Sequence, residues 1–127
     1  MWCFHSSSAH TAALSRREVV EHLRKFAPDA ENFFDVELIV GELLANTVQH
    51  APGMVEIRIE WTGEYPVLHV RDTGPGMDHV DGKLPEEAFS ESGRGIFLVR
   101  QLARDISVKS GPGQGTELRV VLPIRRS

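Results

Sequence analysis

The stretch Asp72-Thr73-Gly74-Pro75-Gly76-Met77 follows the mostly apolar run Val67-Leu68-His69-Val70-Arg71, and its reading decides how the rest of the chain is assembled. A carboxylate ends a short strand pattern, and two glycines held one residue apart by a proline come next. An ionised carboxylate only accepts hydrogen bonds, so Asp72 suits a ligand edge that donates one, such as the exocyclic amino group of adenine. Gly74 and Gly76 permit close approach of backbone to a flat ligand, while Pro75 stiffens the loop between them. The same residues also make a tight turn between two strands. On their own they do not separate the two readings.

Upstream, Met54 to Trp61 alternates Val55, Ile57, Ile59 and Trp61 with polar residues, which predicts a strand with one face turned from the core. A turn around Gly63 joins it to the strand Val67 to Asp72. Before these, Ala30 to His50 carries the clearest helical period: Val36, Ile39, Val40, Leu43, Leu44 and Val48 form one apolar stripe, ended by Ala51-Pro52-Gly53. Leu14, Val19, Val20, Leu23 and Phe26 predict an earlier amphipathic helix from about Thr11 to Phe26. Pro28-Asp29 separates the two helices, and a brief strand near Trp2 to His5 precedes both, across Ser6-Ser7-Ser8.

Downstream, Met77 to Ser92 reads as a loop, made acidic by Asp78, Asp81, Glu86, Glu87 and Glu91 against Lys83. It is longer than the usual connection and points toward a lid or binding loop. A helix from Gly95 to Ala103 follows, then strands near Ile106 to Lys109 and Thr116 to Leu122, joined through Gly111-Pro112-Gly113-Gln114-Gly115. Helices first and a strand-dominated run afterwards predict an α+β fold. Its expected architecture is a two-layer α/β sandwich, with a mixed, mostly antiparallel sheet and helices on one face.

With 127 residues and 41% hydrophobic content, the chain is expected to form one domain over residues 1–127. A chain of that size buries roughly two thirds of its unfolded surface. The net charge of -4 argues against a nucleic-acid-binding face. A polyphosphate must therefore be met locally, by backbone amides, a metal ion and one or two placed cations. Cys3 is the single cysteine, so an internal disulfide is excluded. Six histidines, at 5, 10, 22, 50, 69 and 79, include no close pair at helical ligand spacing. Met1-Trp2-Cys3-Phe4 is too short for a signal segment, and no run approaches a transmembrane length. The expected compartment is the cytoplasm, without a membrane partner.

On the long helix, Glu42, Asn46 and His50 are spaced four residues apart and share a face beside the apolar stripe. Ordinary solvation at the edge of the stripe accounts for them. The same spacing also suits chemistry: the Asn46 side-chain oxygen is a neutral hard ligand for Mg²⁺ that already carries phosphate oxygens, and Glu42 is placed to accept a proton from an attacking hydroxyl or water. Ser92-Gly93-Arg94-Gly95-Ile96 leaves backbone N–H groups open at a helix start, where an anion binds, although a helix cap explains it equally. It is neither a dinucleotide-binding fingerprint nor a P-loop, because no strand leads into it and no Gly-Lys-Ser/Thr exists in the chain. Thr116, after Gly115, is a good strand former whose hydroxyl can also reach toward the ligand of Asp72.

Glu42-x-x-x-Asn46, Asp72-x-Gly74-x-Gly76, Gly93-x-Gly95 and Gly115-Thr116, taken in this order, resemble the N box and three glycine boxes of the histidine-kinase-like ATPase superfamily, the Bergerat fold. The resemblance covers about Leu14 to Leu122. It implies ATP with Mg²⁺, bound between the long helix, the glycine loops and a mobile lid. By the same resemblance Asp72 takes the adenine amino group, Gly74 and Gly76 lie along the base, and Asn46 holds the metal. Gly93, Arg94 and Gly95 would meet phosphates, and Thr116 would support the base pocket.

Only some thirty residues precede the long helix, too few for the dimerisation hairpin of a sensor kinase, and the larger branches carry further domains. The chain is most similar to the stand-alone anti-sigma factor serine-protein kinases. That resemblance implies phosphoryl transfer from ATP to a serine or threonine of an anti-anti-sigma antagonist, with Glu42 as general base, together with binding of a sigma factor. It also implies a homodimer, and partner contacts on the first helix at Arg16 and Arg17. A solvated helix face accounts for these two arginines as well. Glu91 departs from the pattern, since some family kinases carry a basic residue there. Phosphate charge then falls to Mg²⁺, backbone amides and Arg94. Two alternatives stay open: a non-catalytic module gated by ATP and ADP, and a plain ATPase in which Glu42 directs water.

Overall fold

A computed structural model describes residues 2–5, 8–50, 53–61, 63–72, 80–83, 93–111 and 115–125. The elements in chain order are β1 (Trp2–His5), α1 (Ala9–Phe26), α2 (Phe33–His50), β2 (Met54–Glu60), β3 (Val67–Asp72), β4 (Val80–Lys83), α3 (Gly93–Leu102), β5 (Asp105–Gly111) and β6 (Gly115–Val121). The strands form one six-stranded sheet in the order β1-β2-β3-β6-β5-β4, and every described pairing is antiparallel.

Alternation along the strands divides the sheet into two faces. Val55 and Ile57, Leu68 and Val70, Ile106 and Val108, and Leu118 and Val120 are buried together with the apolar stripes of α1 and α2. The helices therefore cover one face. The other face carries Glu56, Arg58 and Glu60, then His69 and Arg71, then Glu117 and Arg119 on successive strands. His69 is nevertheless buried, because it is flanked by long side chains from both neighbouring strands: its Nδ1 lies 3.0 Å from Glu117 Oε1, and its Nε2 faces Glu60 Oε1. One histidine so links three strands on the polar side.

α1 starts where Ser8 caps it: the Ser8 hydroxyl accepts from Thr11 N at 3.3 Å, and the Thr11 hydroxyl donates to the Ser8 carbonyl at 3.2 Å. Such a cap stabilises a helix by about 1 kcal/mol. Its buried residues are Ala12, Ser15, Val19 and Leu23. Leu14, expected in the apolar stripe, is instead 42% exposed. The true stripe runs at spacings of three and four through Ala12 and Ser15, so small residues carry its first half. At the other end Arg24 stacks over Phe33, with Cζ 4.1 Å from the ring centroid, and pairs with Glu37 at 3.2 Å.

α2 begins at Phe33, three residues later than the expected Ala30. Asn32 is the reason: its side-chain amide donates to the Pro123 carbonyl, which ties the chain before α2 to the C-terminal segment and keeps it in turns. Val36, Ile39, Val40, Leu43 and Leu44 are buried as the periodicity predicts, each leucine side chain contributing about 1.5–3 kcal/mol by its burial. The Val48 side chain falls outside the described residues. Gly53, at φ 95°, turns the chain from α2 into β2, a conformation that suits glycine.

The stretch expected as one loop between Met77 and Ser92 contains β4, which pairs with β5 from Val80↔Ser110 to Lys83↔Ser107. Val-Asp-Gly-Lys has neither alternation nor β-branched content beyond Val80. Pairing with a neighbouring strand, rather than local preference, makes it a strand. The remainder of that stretch lies outside the described residues. Among the described residues, no helix is long and apolar enough to cross a membrane.

Candidate functional site

Asp72 and Thr116 end up side by side at one end of the sheet. The β3–β6 register pairs Val70 with Leu118 and Arg71 with Glu117, and one further step sets Thr116 across from Asp72. Both have the parity of the buried Val70 and Leu118, so both side chains face the helix layer. Asp72 is half-buried, as is Thr116. The chain places them apart by forty-four positions. Only strand pairing makes them neighbours.

The end of α2 is delivered to the same place. α2 stops at His50, β2 starts at Met54, and Val55 is paired with Asp72. The last turns of α2, which include Asn46, are therefore at this end of the sheet. Glu42 lies one turn earlier, half-buried next to the fully buried Leu43. The side chain of Asn46 falls outside the described residues.

α3 closes the third side. It runs through Ala103 and Arg104 into β5 at Asp105, which pairs with Val121 at the opposite end of the sheet. Because α3 packs on both α2 and β5, it runs back along the sheet. Its 10 residues span about 15 Å. Its first turn, Gly93-Arg94-Gly95, thus opens toward Asp72 and Thr116. The helix starts at Gly93 rather than the expected Gly95, so all three residues sit in the first turn, where N–H groups have no intrahelical partner and the helix dipole favours negative charge. Gly74 and Gly76 lie outside the described residues.

The structure therefore gathers Asp72, Thr116, the Glu42–Asn46 segment and the start of α3 at one end, from four separate parts of the chain. An acceptor-only carboxylate, a hydroxyl, and a helix start whose first N–H groups lack intrahelical partners are groups complementary to a base on one side and an anion on the other.

Sequence reading passed over Gly41, the residue before Glu42. A Cβ there would stand 2.8 Å from Arg16 Nη2 and 2.9 Å from Arg16 Cζ, so the missing side chain is the seat of a guanidinium from α1. The signal was available: a glycine inside a helix costs about 1 kcal/mol relative to alanine and asks for a packing reason. Arg16 itself is exposed, as is Arg17.

Comparison with known proteins points to one family. Residues 4–122 match the family described as histidine kinase-like ATPase domain. The anti-sigma F factor of Pasteuria penetrans is 25% identical over 133 residues, covering 96% of this chain and 89% of that protein. The anti-sigma F factor of Bacillus subtilis is 21% identical, covering 96% and 90%. The sensor protein kinase PmrB of Pseudomonas aeruginosa is 32% identical over 69% of this chain, which spans 22% of that protein's length. Among solved structures, the histidine kinase domain from the Erythrobacter litoralis EL346 blue-light activated histidine kinase superposes with a TM-score of 0.52 at 28% identity, covering 72% of this chain and 47% of the other. With a family match across nearly its whole length, the chain belongs to the histidine kinase-like ATPase domain family.

Proposed function

We propose that this protein is an ATP-dependent serine/threonine kinase of the anti-sigma factor type, which phosphorylates an anti-anti-sigma antagonist and sequesters a sigma factor. The observation that carries this reading is the convergence of Asp72, Thr116, the Glu42–Asn46 segment and the first turn of α3 at one end of the sheet. Similarity to anti-sigma F factors over most of both chains supports the regulatory half of the proposal.

In this reading Asp72 accepts a hydrogen bond from the adenine amino group, and the Thr116 hydroxyl completes that edge of the pocket. Gly74 and Gly76 let the base lie against backbone. Gly93 and Gly95 offer N–H groups to the phosphates, and Arg94 adds a cation. The donor chemistry fits a hard divalent ion: Asn46 brings a neutral amide oxygen one turn from the Glu42 carboxylate, and Mg²⁺ takes few protein ligands beside phosphate oxygens and water. Mg²⁺ bound there supplies charge neutralisation at the phosphates.

Glu42 accepts the proton of the acceptor serine or threonine as its oxygen bonds to the γ-phosphorus of ATP. The bond from that phosphorus to the β–γ bridging oxygen breaks, and ADP leaves. A positioned general base contributes about 10²–10⁴-fold in rate. Glu42→Gln is therefore expected to lower label transfer from ATP to a cognate antagonist by about that factor, with nucleotide affinity unchanged. Transfer at the wild-type rate would remove Glu42 from this role.

Glu91, where some family kinases are basic, favours a second reading: a non-catalytic module whose partner affinity follows ATP against ADP. It predicts nucleotide-dependent partner exchange without label on any protein. Phosphate release measured with and without the acceptor protein distinguishes both readings from a plain ATPase.

A further inference from the structure

The opposite end of the sheet, where β3 and β5 begin and β6 ends, carries a cavity of about 460 Å³ that the nucleotide reading does not use. It is lined by Asp29 and Asn32 from the α1–α2 connection, Tyr65 from the β2–β3 turn, Arg104 from the α3–β5 junction, and Ile124 and Arg125 after β6. Four chain segments meet there and are locked together. Asn32 donates to the Pro123 carbonyl, Arg104 N donates to the Val121 carbonyl at 2.9 Å, and Leu122 N donates to the Pro66 carbonyl at 3.0 Å.

Tyr65 organises two cations at this cavity. Arg104 Cζ stands 3.9 Å from the ring centroid and Arg125 Cζ 5.5 Å. Arg125 Nε also donates to Tyr65 Oη at 3.2 Å and lies 3.0 Å from Glu64 Oε1. Arg125 thus has its counter-charge. Among the described residues, no carboxylate forms an ion pair with Arg104. Stacking holds a guanidinium plane flat against a ring and leaves its N–H edge free for a planar acceptor, which a carboxylate matches with two parallel hydrogen bonds.

We propose that this cavity is a docking site for an acidic peptide segment of a protein partner, with a glutamate or aspartate side chain received by Arg104. Charge complementarity commits the site to that occupant. Arg125 is matched by Glu64, whereas Arg104, stacked on the same Tyr65 ring, has no carboxylate partner among the described residues, so a carboxylate side chain is the group that completes this wall. Asp29 on the same lining disfavours a small free polyanion but accepts a peptide N–H. Ala27, Ala30 and Ile124 supply apolar surface for the side-chain stem. Because the cavity lies at the end of the sheet away from Asp72, a partner held there leaves the nucleotide end open. The site therefore serves a kinase and a non-catalytic module equally.

The test uses the full chain, isotopically labelled, titrated with an acetylated peptide of alternating glutamate and leucine and with its glutamine counterpart. The acidic peptide is expected to shift the Arg104 side-chain Nε–H resonance, and the glutamine peptide to leave it in place. Arg104→Gln is expected to weaken acidic-peptide binding by about tenfold, the loss of one charge-assisted pair. Arg104→Lys keeps the charge and loses the fork, so it should weaken binding as well, and it guards against a fold effect of the first variant. ATP affinity should stay the same in both. The proposal is overturned if millimolar acidic peptide leaves Arg104 unmoved, if the glutamine peptide binds equally, or if both variants bind as the parent does. Equal shifts and affinity from inorganic phosphate alone would make this a free-anion site and also overturn it.

Discussion

Asp72 is where the choice of nucleotide is made in this reading. Guanine presents a carbonyl where adenine carries an amino group, so GTP would meet a repulsive carboxylate. Asp72→Ala is expected to lower ATP affinity by about 10–100-fold, because a hydrogen bond to a charged group contributes about 1.5–3 kcal/mol. Competition binding of ATP and GTP checks this; equal affinity for the two would remove Asp72 from the base pocket. Gly41 is a second single-residue test. A methyl there meets only the far end of the Arg16 side chain, which can swing aside, while alanine is favoured over glycine in a helix by about 1 kcal/mol. Gly41→Ala should therefore raise the thermal midpoint by a few degrees and release the guanidinium from its seat. Chemical denaturation of the variant alone and in an Arg16→Ala background measures both effects, and a net loss of stability would show that Arg16 cannot swing aside at low cost. Asp72 announced itself in the sequence through its glycine neighbours. Gly41 became informative only once α1 was laid against α2.

Between elements, the edge formed by β1, α1 and β2 is closed by an aromatic row: Trp2 to His22 at 5.5 Å, His22 to Phe26 at 4.8 Å and Phe26 to Trp61 at 5.4 Å. Burial first, and then nearby positive charge including Lys25, lowers the pKa of His22 from the usual 6.5. The folded value is thus below the unfolded one. Above 6.5 the ring is neutral in both states and its contribution to stability is complete; as pH falls through 6.5 the unfolded chain takes up the proton first, and stability declines until the folded ring is protonated too. His22→Phe should flatten the pH dependence of unfolding in that window, as followed by thermal melts from neutral to mildly acid pH. An unchanged slope would place the titration elsewhere. The helices and five of the strands were legible from their apolar patterns and bounding turns. β4 was not, since Val80-Asp81-Gly82-Lys83 has no pattern of its own and is a strand only by its register with β5.

For the whole molecule, a ligand that binds only the folded state stabilises it by an amount set by its concentration relative to Kd, about 2.7 kcal/mol at a hundredfold excess. Saturating ATP should accordingly raise the thermal midpoint by several degrees, in the parent and in Glu42→Gln alike, and do so far less in Asp72→Ala. Calorimetry of the three proteins reads this directly; a Glu42→Gln protein that no longer responds would mean that Glu42 binds rather than catalyses. The α+β order, the covered and polar sheet faces and the four motif-bearing segments were determined by the sequence itself, because each depends on residues within a few positions of one another. That Asp72 stands beside Thr116, that Arg16 rests on Gly41, and that Tyr65 gathers Arg104 and Arg125 were decided only by tertiary structure. These neighbours are separated by tens of residues, and strand register and helix packing, not local preference, bring them into contact.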